Sequence, residues 1–368
     1  MRAILLGGGL SLLISLIGTR YAIRAFTNLG LGQEIRDDGP TTHHVKRGTP
    51  TMGGLVIIVA SVAGYFLAKL ITLDAPSASA LLLLLLFVGC GAVGFLDDYI
   101  KVAKRRSLGL RSKAKMVGLT VVAVTFGVVA LLPAMADDAG LTPASTSISF
   151  IRDIPWLTLP AVLAVLLFWL VVTGTSNAVN LTDGQDGLAA GASVMVFGAY
   201  TLVNIWQNNQ SCELVGGNTC YDVRDPLDLA VVAAAITGAC FGFLWWNAPP
   251  AAIIMGDTGS LGLGGALAGF AILTRTELLL PILGGLFMVV TLSVVIQVGV
   301  FKASRGSALF RRVFRVGPGH RVFRIAPIHH HFEQIWTEVT VTIRFWIITG
   351  LCVATGLGVF YAEWVVGY

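Results

Sequence analysis

The sequence predicts an all-α polytopic membrane protein: ten transmembrane helices forming a single integral membrane domain over residues 1–368. Three observations carry that expectation. Hydrophobic residues make up 55% of the 368 positions and charged residues only 12%, where a soluble chain of this size carries roughly 25% charged; mean hydropathy is +0.80. Apolar runs recur along the whole chain at the length of about 20 residues that a bilayer requires. Lys and Arg alternate sharply between successive loops. No loop is long enough to hold a separate soluble domain, and no nucleic-acid partner is expected.

The first run, 3–24, follows Arg2 as a secretory signal would, but no A-x-A-like cleavage site follows it and it is long enough to span, so it is read as the first helix. Further spans are expected at 51–70, 79–97, 116–134, 158–176, 187–205, 228–246, 259–274, 279–301 and 342–362. The leucine run 81–86 reads as lipid-facing helix. The loops after the first, third and ninth spans hold 20 of the 25 basic residues, while the opposite side carries Asp74, Asp137, Asp138, Asp153, Glu213, Asp222 and Asp225. The positive-inside rule puts the basic loops in the cytoplasm and both termini outside. Cys212 and Cys220 share an outer loop, where either a short disulfide or two free thiols would fit; Cys90, Cys240 and Cys352 fall within spans and read as packing residues.

Against this background the informative residues are carboxylates beside long apolar runs, where bare charge is expensive. Phe95-Leu96-Asp97-Asp98-Tyr99 closes the third span on the basic side. Adjacent helical residues point about 100° apart, so Asp97 and Asp98 are not expected to share one face: one would hold a cation and the other would meet a second ligand or a nucleophile. The alternative is an interfacial acidic pair balancing the basic loop.

Between the fifth and sixth spans runs Asn180-Leu181-Thr182-Asp183-Gly184-Gln185-Asp186-Gly187, polar and punctuated by glycines that permit close approach to a ligand. If helical, Asp183 and Asp186 would share a face at i, i+3; Thr182 and Asp183 would also suit an N-cap of the sixth helix, and a helix N-terminus attracts phosphate as well. Met255-Gly256-Asp257-Thr258-Gly259-Ser260 precedes the eighth span and reads either as an oxygen site for a hard cation such as Mg2+ or as another cap. In the last basic loop, Pro327-Ile328-His329-His330-His331-Phe332-Glu333 carries three consecutive histidines. Zinc prefers spaced ligands with a fixed outer shell, so phosphate or nucleotide contact is the favoured reading. Lys46-Arg47, ahead of Gly48-Thr49-Pro50-Thr51, and Arg111-Ser112-Lys113-Ala114-Lys115 before the fourth span would either grip phosphate or anchor the membrane edge.

On these segments the chain resembles the phospho-N-acetylmuramoyl-pentapeptide transferase family, over roughly residues 33–346. The Lys46–Gly54, Phe95–Tyr99, Asn180–Gly184, Met255–Asp257 and Pro327–Glu333 runs carry the likeness, and the last of them points to the muramoyl branch of a wider superfamily. The resemblance implies ten spans with both termini outside, a bacterial plasma-membrane location and a homodimer. It also implies a Mg2+-dependent reaction in which undecaprenyl phosphate attacks UDP-N-acetylmuramoyl-pentapeptide to give lipid I and UMP. By the same resemblance Asp257 and Asp97 are metal ligands, with Asp97 nearest the lipid phosphate. Asp98 and His330 join the catalytic set. Lys46, Thr51, Lys113, Asn180, Asp183, Gly184, Gln185, Asp186, Ile254, His329 and His331 contact substrate. Whether Asp97 is a base, a covalent nucleophile or neither stays open.

Two positions depart from the family pattern: Gln185 stands where Leu is usual and Ile254 where Phe is usual, both implied to lie near the uridine. Loss of an aromatic face removes a stacking contact of roughly 1 kcal/mol. The expectation is altered nucleoside recognition and reduced sensitivity to nucleoside inhibitors; neutral drift is the alternative. Two rivals remain: a sister enzyme using UDP-N-acetylglucosamine, against which the triple histidine argues, and an ion-coupled transporter, against which the gathering of carboxylates at one face argues.

Overall fold

The structure is a computed structural model that describes residues 1–30, 32, 48–104, 109–216 and 220–366, the last four by backbone alone. Lys46 and Arg47 lie outside the described residues.

The chain runs through α1 (Arg2–Asn28), α2 (Gly54–Thr72), α3 (Ala78–Ala103) and α4 (Ser112–Ala130) into a hairpin of β1 (Ser147–Ser149) and β2 (Asp153–Thr158). Then come α5 (Ala161–Thr182), α6 (Leu188–Asn209), α7 (Pro226–Asn247), α8 (Gly256–Leu273), α9 (Leu280–Leu283), α10 (Gly285–Gly306), α11 (Ala308–Phe314), α12 (Ile328–Glu333) and α13 (Glu338–Val366). Among the described residues nine helices, α1–α7, α10 and α13, are long and apolar enough to cross a membrane.

The helix at the eighth expected span, α8, falls outside that set because six of its 18 positions are glycine and its first turn is polar. It nevertheless sits at the centre. Every residue from Thr258 to Leu273 is buried, and α3, α5 and α2 pack around it. Small residues let helix backbones approach closely where lipid supplies no hydrophobic drive: a Cβ on Gly54 would overlap the Gly259 backbone. Such a helix is solvated by protein, not lipid, so hydropathy is a poor guide to it.

Among the boundaries that differ from the sequence reading, three change the architecture. Helix α3 continues past Asp98 to Ala103, so the carboxylate pair lies inside a helix and not at its end. The fifth span starts at Ala161 because residues 147–158 pair as an antiparallel hairpin, Ser147 with Thr158 and Ser149 with Asp153. The ninth is broken at Gly284 into α9 and α10.

The end of the bundle remote from Asp97 is closed by polar contacts. Tyr65 donates to Asp228 (2.8 Å), which also pairs with Lys69 (3.0 Å), joining α2 to α7. The Arg275 guanidinium, 4% exposed, donates to the Thr142 and Pro143 carbonyls, each at 3.1 Å. The Leu278 N–H donates to the Ser149 carbonyl. These bonds tie the hairpin and the segment just before it to the turn after α8. Cys212 and Cys220 are joined as a disulfide, while Cys90 and Cys240 are buried packing residues.

In the same turn, burial pushes the Glu277 carboxyl up to about 8 from its ordinary 4.5. A carboxyl raised by folding contributes stability that is complete below the unfolded value and is lost as pH climbs to the folded one. The melting temperature of the detergent-purified protein should therefore fall by roughly 5 °C between pH 5 and 8. Glu277→Gln should flatten that slope in a thermal-shift series; a parallel slope in the variant would exclude Glu277 as its source.

Candidate active site

The continuation of α3 has a chemical consequence. Lys101 falls at i+4 from Asp97 and i+3 from Asp98, the spacings at which helical side chains meet. Its Nζ lies 2.6 Å from Asp97 and 3.4 Å from Asp98. It also lies 3.0 Å from Asp257, in the first turn of α8, which Lys115 from the start of α4 approaches at 2.9 Å. The expectation that Asp97 and Asp98 face apart is thus corrected. Their far oxygens do diverge, Asp97 accepting from the Leu110 N–H (2.7 Å) and Asp98 from the N–H and hydroxyl of Thr258 (2.9 and 2.8 Å). Their near oxygens converge on one ammonium. Both residues are almost fully buried, at 3% and 2% exposure.

Asn180, near the end of α5, completes the cluster by donating to Asp257 (2.7 Å) and to Ser260 (2.9 Å). Neither cap reading holds: α6 is capped by Gly187 and α8 by Met255, each without a side-chain cap bond. Asp183 and Asp186 are not on a helix face either; they part in the turn between α5 and α6. The Asp183 carboxyl is held well above the usual carboxylate range by burial first, then by the negative charges of Asp257, Asp98 and Asp186, against the Gly256 N–H that lowers it. Asp186 accepts from the Ala251 N–H (3.0 Å), tying this turn to the α7–α8 connection.

The histidines divide. His329 is fully buried and His330 pairs with Glu333 at 2.7 Å, the two histidine rings lying 4.2 Å apart. Both sit over Gly184: a Cβ there would lie 2.8 Å from His329 Nε2 and 2.9 Å from His330 Nε2. His331 turns aside, its Nδ1 accepting from the Arg324 N–H and its ring against Phe323. Thr51 is buried beside Gly256 because the segment into α2 pairs with the one into α8, Ile254 N–H to the Pro50 carbonyl and Gly53 N–H to the Ile254 carbonyl (2.8 and 2.9 Å). Ile254 is half-buried. Gln185 is 4% exposed, with its Nε2 3.5 Å from the Glu338 carbonyl and its Oε1 lacking a hydrogen-bond partner. Lys113 is exposed; of the basic residues at the start of α4, Lys115 is the one that reaches Asp257.

The structure thus brings Asp97, Asp98, Asn180 and Asp257 together with Thr258 and Ser260 of the expected cation-binding segment, adds Lys101, which sequence reasoning missed, and selects Lys115 from the basic run before the fourth span. Lys101 was legible in principle, from its i+3 and i+4 spacing to the carboxylates. Lys115 was not, since its role depends on how α4 meets α8.

The ligand oxygens of Asp97, Asp98 and Asp257 lie within 4.8 Å of one another, and among the described residues this is the one such group of three. An all-carboxylate donor set suits a hard divalent cation such as Mg2+ better than zinc, and the three histidines form no comparable group among the described residues. Lysines, a carboxylate cage and helix starts at one end of a membrane bundle are the equipment for handling polyanions beside a bilayer.

Fold and site together define a membrane-embedded transferase acting on phosphorylated substrates. The model of glycosyl transferase family 4 matches residues 80–275, and phospho-N-acetylmuramoyl-pentapeptide-transferase signature 1 matches residues 46–58. A phospho-N-acetylmuramoyl-pentapeptide-transferase of Nocardioides sp. is 71% identical over the full length of both chains. Those of Cutibacterium acnes and Streptomyces avermitilis are 57% and 56% identical over 100% and 99% of both chains. The chain belongs to the phospho-N-acetylmuramoyl-pentapeptide-transferase family, and it is a multi-pass bacterial membrane enzyme of the glycosyl-1-phosphate transferase type.

The seat of His329 and His330 on Gly184 makes a prediction. Gly184→Val should leave a folded, monodisperse protein but cut turnover by about 100-fold, because the rings must move; retention of more than half the turnover would show that their placement is immaterial.

Proposed function

We propose that the chain transfers phospho-N-acetylmuramoyl-pentapeptide from its UDP donor to undecaprenyl phosphate in a Mg2+-dependent reaction, giving lipid I and UMP. The observation that carries this reading is the cage of Asp97, Asp98 and Asp257, steadied by Asn180 and two lysines, in a chain so close to transferases of that name. In this reading all of residues 1–368 form one membrane domain. Helix α8 counts as the eighth of ten spans, α9 and α10 together are the ninth, both termini lie outside and the cage faces the cytoplasm. The distribution of basic residues supports that orientation. A homodimer belongs to the same proposal and rests on the family resemblance.

Phosphoryl transfer between two polyanions depends mostly on positioning and charge neutralisation. Asp257 and Asp97 would hold Mg2+, which when bound neutralises diphosphate oxygens and stabilises the UMP leaving group. Asp98, fixed by Thr258, holds the start of α8 against α3. Asp97 lies nearest the lipid phosphate. A phosphate monoester already carries close to two negative charges at neutral pH, so the demand on Asp97 is placement more than proton removal. His330, oriented by Glu333, would meet donor phosphate together with His329, Lys46 and Lys113, while His331, engaged with the Arg324 N–H, would hold the loop in place. Asn180, Asp183, Gly184, Asp186 and Thr51 would line the nucleotide side.

The test is UMP release by the purified protein with undecaprenyl phosphate, comparing the muramoyl-pentapeptide donor with UDP-N-acetylglucosamine, each with Mg2+ and with EDTA. Release from the muramoyl donor alone, abolished by EDTA and reduced at least about 100-fold in Asp257→Asn and Asp97→Asn, is expected. Release only from the N-acetylglucosamine donor would move the chain to the sister activity, and release from neither would return the transporter reading.

Gln185 and Ile254 are proposed to weaken nucleoside recognition. The buried, unpaired Gln185 carbonyl is a cost that a Leu would remove, and Phe at 254 would restore a stacking face. The double substitution Gln185→Leu, Ile254→Phe should raise affinity for nucleoside inhibitors about tenfold and raise the melting temperature slightly. Superimposable inhibition curves would leave these residues as neutral drift.

A further inference from the structure

One feature of the cage is not accounted for by the reaction as proposed: its centre is filled by a side chain of the protein. The Lys101 ammonium touches all three members of the metal-ligand group, at 2.6, 3.4 and 3.0 Å from Asp97, Asp98 and Asp257. Lys115 touches Asp257 alone. We infer that the Lys101 ammonium and the divalent cation are alternative occupants of one cage, and that Lys101, displaced by the metal, becomes a positioning group for the donor's diphosphate. The inference rests on the metal-dependent reading of the site and deepens it.

Space and charge both require the exchange. A magnesium ion takes its oxygens at about 2.0–2.1 Å, closer than Nζ lies to any of the three, so these carboxylates would hold an ion only with Nζ out of the space between them. Three carboxylates against two ammonium groups leave one negative charge. A divalent ion in place of Lys101 brings the cage to neutrality, whereas an ion added beside Lys101 would make it cationic while burying like charges in contact. The side chain also has somewhere to go. Lys101 lies near the end of α3 and its side chain is 31% exposed, against 5% and 3% for Asp97 and Asp98. Its flexible four-carbon stem can carry the ammonium outward without moving the helix. Lys115, bound to one oxygen of one carboxylate from another helix, need not leave.

Two consequences follow. In the empty enzyme Lys101 holds the carboxylates together and competes with the metal. In the loaded enzyme a strongly hydrated cation is released at the mouth of the cage, where a diphosphate would be bridged, so metal and donor reinforce each other's binding by linkage.

The experiment measures metal binding without turnover. Mn2+ is titrated into the full-length, detergent-purified protein and free Mn2+ is read by electron paramagnetic resonance, with no donor present. Lys101→Met and Lys101→Gln, two variants of differing polarity so that poor folding of one does not decide the matter, should bind Mn2+ about tenfold or more tightly than the wild type, because a like charge has been removed from contact with the ion's site. Lys101→Arg should not tighten binding, and Lys115→Met should tighten it less than Lys101→Met. UDP titrated against the same proteins provides a second readout: Mn2+ should strengthen UDP binding in the wild type by a larger factor than in Lys101→Met. Unchanged or weaker Mn2+ binding in folded Lys101→Met and Lys101→Gln overturns the inference while leaving the metal reading intact. Absence of Mn2+ binding by the wild type overturns both.

Discussion

Three carboxylates held within 4.8 Å of one another repel, and the cytoplasmic half of the proposed topology is organised by what offsets that repulsion. Asp97 and Asp98 arrive on α3, Asp257 on α8, and neither helix alone could keep such a group together. The compensation comes from separate directions: Lys101 from the same helix, Lys115 from α4, Asn180 from α5, and the Thr258 N–H and hydroxyl from α8 itself. Each partner fixes one helix relative to another. Helices α3, α4, α5 and α8 therefore meet at one point for an electrostatic reason, in addition to the apolar packing along their lengths.

That meeting requires α3 and α8 to approach closely, which explains the composition of α8. Its glycines and alanines bring it against α2, α3 and α5, and its buried face extends all the way round. The same residues make it too weakly apolar to stand among the nine lipid-compatible helices of the described residues. A helix chosen for close packing around a polar end gives up long-chain apolar residues for glycine, so among the described residues the one long helix outside the set of candidate spans is the helix nearest the chemistry.

What the sequence revealed follows from this division. Long apolar runs made α1–α8, α10 and α13 visible, with errors mainly at ends where polar residues continue a helix, as Asp97 to Ala103 do, or where a hairpin precedes one, as before Ala161. The site residues were visible as types out of place: carboxylates next to apolar runs, and three histidines together. Their partners were not. Lys101 and Lys115 look in sequence like ordinary positive-inside residues, and only helix packing separates Lys115 from its exposed neighbour Lys113. Similarly, i, i+3 spacing suggested that Asp183 and Asp186 act together, yet α5 ends at Thr182 and the turn that follows separates them, one toward the cage and one to the Ala251 N–H.

The division of labour between those two aspartates bears on how distant segments act as one site. Asp186 joins the α5–α6 turn to the α7–α8 connection, and its own N–H receives support from the Glu338 carboxylate at the start of α13, at 3.2 Å. Gly184, between the two aspartates, is the seat of His329 and His330. This one short turn thus touches the carboxylate cage on one side and the histidine helix α12 and α13 on the other. Any motion of the last loop that shifts α12 must move against Gly184, and any motion of the turn is opposed at Ala251. Segments about 150 residues apart in the chain are coupled through this turn by direct contact, which places the groups proposed to hold donor phosphate at a fixed offset from the groups proposed to hold the metal. For in-line transfer between two large substrates, that fixed offset is the main thing the protein has to supply.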